Sequence, residues 1–123
     1  MNALGRQILV DLYGCDAALL DDAEYLEECL KEAARNAGAT LVDSTFHRFS
    51  PHGVTGVLTI QESHLTIHTW PEHGFAAVDL FTCGEEIDPW RACEAIKSAL
   101  KAGCDTAVEL HRGRPPLRGG EDH

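Results

Sequence analysis

The sequence lacks the cysteine pattern of a disulfide-stabilised or zinc-binding protein. Its five cysteines are odd in number and form no Cys-x-x-Cys pair, which argues against a disulfide framework and against a zinc ribbon. Free thiols are typical of a reducing compartment, so we expect a cytoplasmic protein. The sequence shows no signal-peptide pattern at its start and no apolar run long enough to span a membrane, so we expect no membrane partner.

Basic residues are scarce, with 10 lysines and arginines against 20 aspartates and glutamates and a formal net charge of -10. This charge opposes binding to nucleic acid or to an anionic membrane and mildly favours cationic ligands. A length of 123 residues favours one domain with little room for a deep pocket, so we expect a site at a subunit interface. We assign this domain to residues 1–112, because the Arg/Pro/Gly-rich stretch 113–123 is typical of a disordered tail.

Hydrophobic periodicity predicts two helices and six strands. The first helix extends over 21–38, with Asp21 as its N-cap and Glu24 as the capping-box partner. The second extends over 88–103, where Asp88 precedes a proline suited to the first helical position. The expected strands are Gly5 to Tyr13, Thr40 to Phe49, Val54 to Ile60, Leu65 to Trp70, Phe75 to Thr82 and Thr106 to His111.

The order of these elements predicts a two-layer α/β (α+β) sandwich. Each helix has one apolar stripe, and two such helices cover only one face of a six-stranded, mostly antiparallel sheet. The other face of the sheet must then be solvated or meet a second copy of the chain.

Reactive side chains are concentrated between residues 61 and 84. A strand-like run from Ser63 carries two histidines and ends in a Trp-Pro-Glu turn, and the next strand ends at Cys83. A hydroxyl, two imidazoles, a carboxylate and a thiol therefore fall within two adjacent segments.

The two histidines are poorly spaced for a zinc site. His64 and His68 are four residues apart, as in helical zinc motifs, but the surrounding β-branched and aromatic residues favour a strand. Positions four apart on a strand are separated by roughly 13 Å, too far to share one ion. We therefore expect no metal; the alternative is a site completed by the distant His47 or His73.

Four blocks of the sequence closely resemble prokaryotic S-adenosylmethionine decarboxylase proenzymes. They are Ser-Thr-Phe-His-Arg-Phe at 44–49, Gly-Val-Thr-Gly-Val at 53–57, Glu-Ser-His-Leu-Thr-Ile-His-Thr-Trp-Pro-Glu at 62–72 and Asp-Leu-Phe-Thr-Cys-Gly at 79–84. The flanking segments match as well, so the resemblance covers nearly the whole chain. It implies an enzyme that makes a pyruvoyl cofactor from its own backbone and decarboxylates S-adenosylmethionine for spermidine synthesis.

The resemblance implies self-cleavage between Glu62 and Ser63. Ser63 Oγ would attack the Glu62 carbonyl, and elimination from the resulting ester would leave the pyruvoyl group at position 63. The products would be a β chain of residues 1–62 and an α chain of residues 63–123. The ketone would form a Schiff base with the substrate amine and accept electrons as carbon dioxide leaves, and Cys83 would protonate the substrate carbon.

The family's remaining site residues map onto four positions. His68 and Thr55 are implied to assist the elimination, as a base and as its hydroxyl partner. Phe49 is implied to stack on the adenine or face the sulfonium cation. Glu72 is implied to accept hydrogen bonds from the ribose hydroxyls.

Strand register predicts where the thiol lies. An even-membered turn at 71–74 pairs Trp70 with Phe75, and the same register places Cys83 opposite Glu62. A proton donor in this position belongs to the same chain as the cleavage site.

The same geometry predicts a homodimer. His68 is five residues from Ser63, about 16 Å along an extended strand, and is therefore out of reach of its own chain's cleavage site. A two-fold partner supplies it instead. Each of two shared sites would then combine Ser63 and Cys83 of one chain with Phe49, Thr55, His68 and Glu72 of the other.

Three positions depart from the family pattern. Thr55 stands where serine is usual, Gln61 where a small residue is usual, and His73 where an aromatic residue is usual. One alternative keeps the pyruvoyl mechanism but acts on a basic amino acid such as arginine or ornithine. Another is a non-catalytic dimeric binding module that keeps the fold and stays uncleaved.

Overall fold

The computed structural model describes residues 3–114, which form a six-stranded sheet and three α-helices. The strands are β1 (Gly5–Tyr13), β2 (Leu41–Arg48), β3 (Val54–Ile60), β4 (Ser63–Trp70), β5 (Phe75–Cys83) and β6 (Cys104–Arg112). The helices are α1 (Ala17–Leu20), α2 (Ala23–Asn36) and α3 (Pro89–Ala99), and a short 3₁₀ helix, Pro71–His73, joins β4 to β5. The predicted disordered tail lies, from residue 115 onward, outside the described residues.

The strands pair in the order β2-β3-β4-β5-β1-β6, and every neighbouring pair is antiparallel. The predicted register of the β4–β5 hairpin is confirmed, because Trp70 lies opposite Phe75 and His68 lies opposite Ala77. This register fixes which side chains of the two strands are neighbours.

Two strands begin earlier than the periodicity predicts. β4 begins at Ser63, which already pairs with Ile60 across a two-residue loop. β6 begins at Cys104, which pairs with Tyr13 of β1. In both cases ladder hydrogen bonds extend the strand toward its N-terminus, by residues that show no recognisable apolar alternation.

The helices cover one face of the sheet, as predicted. Alternate residues of β1, including Ile8 and Leu12, are buried on that face, and Leu26 and Leu30 of α2 are fully buried in the same core. The result is the predicted two-layer sandwich with an open second face. No helix within residues 3–114 is long and apolar enough to cross a membrane.

The N-cap of α2 is Asp22, so the prediction of Asp21 was wrong. The Asp22 side chain accepts a hydrogen bond from the Tyr25 N–H at 3.0 Å. Glu24 is then the second helical residue, not the third, and does not complete the predicted capping box. The predicted Asp88 cap of α3 is confirmed, with a proline at the first helical position.

Asp21 has a different role because of an unpredicted helix. Asp16 caps the four-residue α1, which is too short to show periodicity, and Asp21 follows it as the C-cap. The Asp21 carboxylate accepts from the Gly53 N–H at 2.8 Å and pairs with Arg48. The Gly53 amide and then Arg48 lower the pKa of Asp21, so this carboxylate ties the turn before β3 to the helical layer.

Candidate active site

The candidate cleavage bond lies at the tip of the hairpin that joins β3 to β4. Ile60 pairs with Ser63, which leaves Gln61 and Glu62 as a two-residue loop. The Gln61 N–H donates to the Thr40 carbonyl oxygen at 2.9 Å and so ties the loop to the segment before β2. Glu62 has a φ of 61°, a left-handed conformation that is uncommon outside glycine. The bond between residues 62 and 63 is therefore held in an unusual local geometry.

Ser63 and Cys83 are neighbours on adjacent strands. The Cys83 backbone N–H donates to Ser63 Oγ at 3.2 Å, which holds the hydroxyl against β5. The last pair in the β4–β5 ladder is His64 with Phe81. Cys83 lies two residues beyond Phe81, and the register therefore places it opposite Glu62. The proximity of the hydroxyl and the thiol-bearing residue within one chain is confirmed, and their chemical roles stay predictions.

A cavity of about 160 Å³ opens beside this bond, with Glu62 and Cys83 in its wall. The other lining residues are Gly38, Ala39, Thr40, Gln61, Glu86 and Ile87. Pockets that enclose drug-sized ligands have volumes of about 300 Å³ or more. This cavity is therefore too small, within one chain, to enclose a ligand of that size.

All five cysteines are free, and they differ in burial. Burial raises the pKa of the Cys29 thiol to about 11 and that of the Cys93 thiol to about 12, so both stay protonated in the core. Cys83 is only partly buried. Cys104 is exposed, but it begins β6, far from the hairpin tip in the sheet order. Cys83 is therefore the accessible thiol beside the candidate cleavage bond.

A second group of predicted residues lies toward the other end of β4. Thr55 and His68 face each other in the β3–β4 ladder, and Thr55 Oγ1 lies 3.2 Å from His68 Nδ1. Both line a pocket of about 320 Å³ that Phe49 and Glu72 also line. The Phe49 side chain is 47% exposed, so its ring is available to a ligand. All four residues predicted for one half of a shared site thus come together within one chain.

Glu72 has a histidine neighbour that the sequence analysis missed. His52 Nε2 lies 3.1 Å from Glu72 Oε1, and both side chains are partly exposed. A hydrogen bond from its own backbone N–H, and then the charge of His52, lower the pKa of Glu72. The carboxylate is therefore anionic at neutral pH. His52 belongs to the turn at 50–53 and to no recognisable spacing pattern, so the sequence offered no signal for it.

A buried hydroxyl beside the hairpin of the candidate cleavage bond was also missed. Thr82 is fully buried, and its Oγ1 has no hydrogen-bond partner within the described part of the chain. Continuing the register of His64 with Phe81 places Thr82 opposite Ser63. A sequence pattern cannot distinguish a paired from an unpaired buried threonine, because the difference depends on atoms of neighbouring strands.

The two groups of candidate residues do not meet within one chain. Ser63 and His68 are five residues apart on one strand, or about 16 Å. The structure therefore brings Ser63 to Cys83 and Thr55 to His68, but it leaves these two halves separate.

The histidines of the open sheet face have aromatic neighbours. His64 stacks on Phe81 with ring centroids 5.7 Å apart, and His47 contacts Phe49 edge-on at 4.5 Å. Among residues 3–114, no group of three or more His, Cys, Asp or Glu side chains is placed to hold a metal ion.

Sequence comparison connects this geometry to known proteins. The family model described as S-adenosylmethionine decarboxylase matches residues 6–113. The S-adenosylmethionine decarboxylase proenzyme of Thermotoga petrophila is 57% identical over 114 residues, which cover 93% of this chain and 88% of the relative. The proenzyme of Caldicellulosiruptor saccharolyticus is 56% identical over 113 residues, which cover 92% of this chain and 91% of the relative.

Solved structures share the fold. The crystal structure of the adenosylmethionine decarboxylase from Aquifex aeolicus matches 96% of this chain and 98% of its own, with a TM-score of 0.88 and 39% identity. The Trypanosoma brucei AdoMetDC monomer matches with a TM-score of 0.64 and 14% identity, over 85% of this chain and 45% of its own. At that low identity the second match shows the fold alone. The family match and the close relatives, both spanning nearly the whole chain, show that the protein belongs to the S-adenosylmethionine decarboxylase family.

Proposed function

We propose that the protein is a self-processing, pyruvoyl-dependent decarboxylase that converts S-adenosylmethionine to decarboxylated S-adenosylmethionine and carbon dioxide. One observation carries this proposal: in a member of this family, the Ser63 hydroxyl is held by the Cys83 N–H directly after a left-handed hairpin residue. The product would supply the aminopropyl group for spermidine synthesis. The comparisons support this substrate and give no support to a basic amino acid or to a non-catalytic module.

Self-cleavage begins at the Ser63 hydroxyl. Its oxygen attacks the Glu62 carbonyl carbon, the C–N bond breaks, and a proton moves from oxygen to nitrogen, so that the amide becomes an ester. A base then removes the Cα proton of Ser63 while the Glu62 carboxylate leaves from Cβ. Water replaces the nitrogen of the resulting dehydroalanine and ammonia departs. The chain is thereby divided into residues 1–62 and residues 63–123.

The residues around the hairpin fit this cofactor. A pyruvoyl ketone supplies an electron sink for the electrons of the breaking carboxylate bond. Cys83 would lie beside this group, since its N–H contacts Oγ of Ser63, the residue that would become the pyruvoyl group. The Cys83 thiol donates a proton to the substrate carbon that has lost carbon dioxide. The hydroxyl precursor, a neighbouring N–H donor and an accessible thiol are therefore all present.

A second copy of the chain completes each site. Thr55 alternates with the buried Val54 and Gly56, so it lies on the open face of the sheet, as does His68 opposite it. Apolar side chains of this face are substantially exposed, among them Val57 at 39%, Val108 at 53% and Leu110 at 41%. Burial of this face against a two-fold copy removes that apolar surface from water. It also presents each chain's Thr55 and His68 to its mate.

The pocket around Phe49 and Glu72 binds the nucleoside. The exposed Phe49 ring stacks on the adenine or faces the sulfonium cation, where the electron-rich face of an aromatic ring is favourable. The anionic Glu72 accepts hydrogen bonds from the ribose hydroxyls. A net charge of -10 favours the approach of a cationic substrate. We place the enzyme in the cytoplasm, where its five free cysteines remain reduced.

Carbon dioxide release from each candidate substrate tests the activity. We expect release from S-adenosylmethionine and none from arginine or ornithine. Release from either amino acid instead would reassign the substrate but keep the cofactor. An intact chain without any release would favour the binding module. The Ser63→Ala variant provides the control, since it cannot form the ketone.

A further inference from the structure

Glu62 has a backbone conformation that its residue type disfavours. Its φ of 61° lies in the left-handed region, where Cβ crowds the backbone at a cost equivalent to about a tenfold change in an equilibrium constant. Among the non-glycine residues of 3–114, only Lys101 shares a positive φ, at 57°. Lys101 directly follows the C-cap of α3, where this conformation is common. Glu62 instead lies in a two-residue hairpin loop, where glycine or asparagine usually supplies a positive φ.

Neighbouring contacts hold this conformation, while the Glu62 side chain contributes nothing to it. The pairing of Ile60 with Ser63 closes the loop, and the Gln61 N–H bonds to the segment before β2. The Cys83 N–H holds Ser63 on the other side of the candidate bond at 3.2 Å. Among the described residues, the exposed Glu62 side chain makes no hydrogen bond or ion pair. The surrounding fold therefore imposes the strain, and nothing local to Glu62 offsets it.

We propose that Glu62 is a positioning residue whose strained backbone speeds the rearrangement of the peptide bond that follows it. This role rests on the proposed self-cleavage and accounts for part of its rate. Once Ser63 Oγ has displaced the amide nitrogen, Glu62 is joined to residue 63 only through the Oγ ester, and its φ can return to the negative region. The later elimination then makes Glu62 a chain end. The strain is present before the reaction and is lost during it, which is the condition for ground-state strain to lower a barrier.

Two pairs of variants test this role. The members of each pair have similar side-chain chemistry but differ in how readily the residue adopts the left-handed backbone conformation. Glu62→Gly and Glu62→Ala both remove the carboxylate, but only glycine relieves the strain. We expect the glycine variant to cleave about tenfold more slowly than the alanine variant. The measurement is the conversion of fresh precursor into two chains over time. Glu62→Asn and Glu62→Gln repeat the comparison with an amide, and we expect asparagine to be the slower of the two.

The stability of an uncleavable precursor measures the strain itself. In a Ser63→Ala background, we expect Glu62→Gly to unfold at a higher urea concentration than Glu62→Ala, by up to about a tenfold change in the folding equilibrium constant. Lys101→Gly is the matched control, because it relieves a positive φ at a helix end. It should stabilise the precursor and leave the rate of cleavage unchanged.

The outcomes separate this role from the proposed function. If the wild-type chain cleaves and the glycine variant cleaves as fast as the alanine variant, or faster, strain does not drive the reaction and the proposed function still stands. If the glycine precursor is no more stable than the alanine precursor, Glu62 is not strained and the role is equally overturned. A wild-type chain that never cleaves between residues 62 and 63 overturns both.

Discussion

Combining two inactive variants tests whether each active site is shared between two chains. Ser63→Ala removes the proposed nucleophile, and His68→Ala removes the proposed base, so neither variant alone should be processed. The two residues are about 16 Å apart along β4, and one chain cannot bring its own pair together. A mixed dimer, however, has one site in which both residues are intact and one site in which neither is.

The expected yield follows from random pairing. Co-expression at equal levels makes about half of the dimers mixed, and in each of these only the His68→Ala chain carries a hydroxyl that can react. About one quarter of all chains should therefore be cleaved, and decarboxylation should reach about one quarter of the wild-type rate. Denaturing electrophoresis measures the first quantity, and carbon dioxide release measures the second.

The control is a pair of variants whose substitutions lie in the same half of the site. Ser63→Ala combined with Cys83→Ala places both defects in one half, so no mixed dimer has an intact site and decarboxylation should not be restored. An absence of cleavage in mixed Ser63→Ala and His68→Ala dimers would refute the shared site. Normal processing of the His68→Ala variant alone would also contradict it.

Three further changes probe separate parts of the account. Cys83→Ala should still divide into two chains but decarboxylate about a hundredfold more slowly or worse, because the proposed proton donor is lost. Single-turnover carbon dioxide release measures this rate, and unimpaired release would exclude the thiol as the donor. His52→Gln should raise KM with little change in kcat, because it removes the imidazole that contacts Glu72, the proposed ribose-binding carboxylate. Steady-state kinetics measure both constants, and an unchanged KM would show that this contact does not matter for binding. Glu109→Gln, in an uncleavable precursor, should make the free energy of unfolding depend less on pH under acidic conditions. Hydrogen bonds from Arg6 and Trp90 lower the pKa of Glu109 from its usual 4.5 to about 2, so its charged form stabilises the fold above pH 4.5 and this stabilisation is lost as the pH falls toward 2. Urea unfolding across that range should show a weaker pH dependence than in the parent, and an identical profile would contradict the assignment.

The register of the central hairpin was predictable because local rules determine it. A proline-containing turn at 71–74 and alternating apolar residues on both sides were enough to pair Trp70 with Phe75. Since register propagates along a strand, the same pairing predicted Cys83 opposite Glu62, beside the candidate cleavage bond. The hydrogen bond from the Cys83 N–H to Ser63 Oγ agrees with that position.

Other features of the site depend on atoms that are distant in sequence. The contact of His52 with Glu72 requires two turns, at 50–53 and 71–73, to approach each other at the same end of neighbouring strands. The positive φ of Glu62 is the reverse of what its residue type favours, so propensity cannot predict it. The choice of Asp22 over Asp21 as the cap of α2 depended on a four-residue helix that periodicity cannot detect.

The chemical state of residue 63 tests the central claim most directly. Intact-mass measurement of the freshly purified protein, before and after treatment with borohydride, reports both the cleavage and the ketone. The account predicts two chains that meet between residues 62 and 63, and an α chain that gains two hydrogens on reduction. A single chain of 13.4 kDa that persists on incubation and has no reducible carbonyl would contradict it.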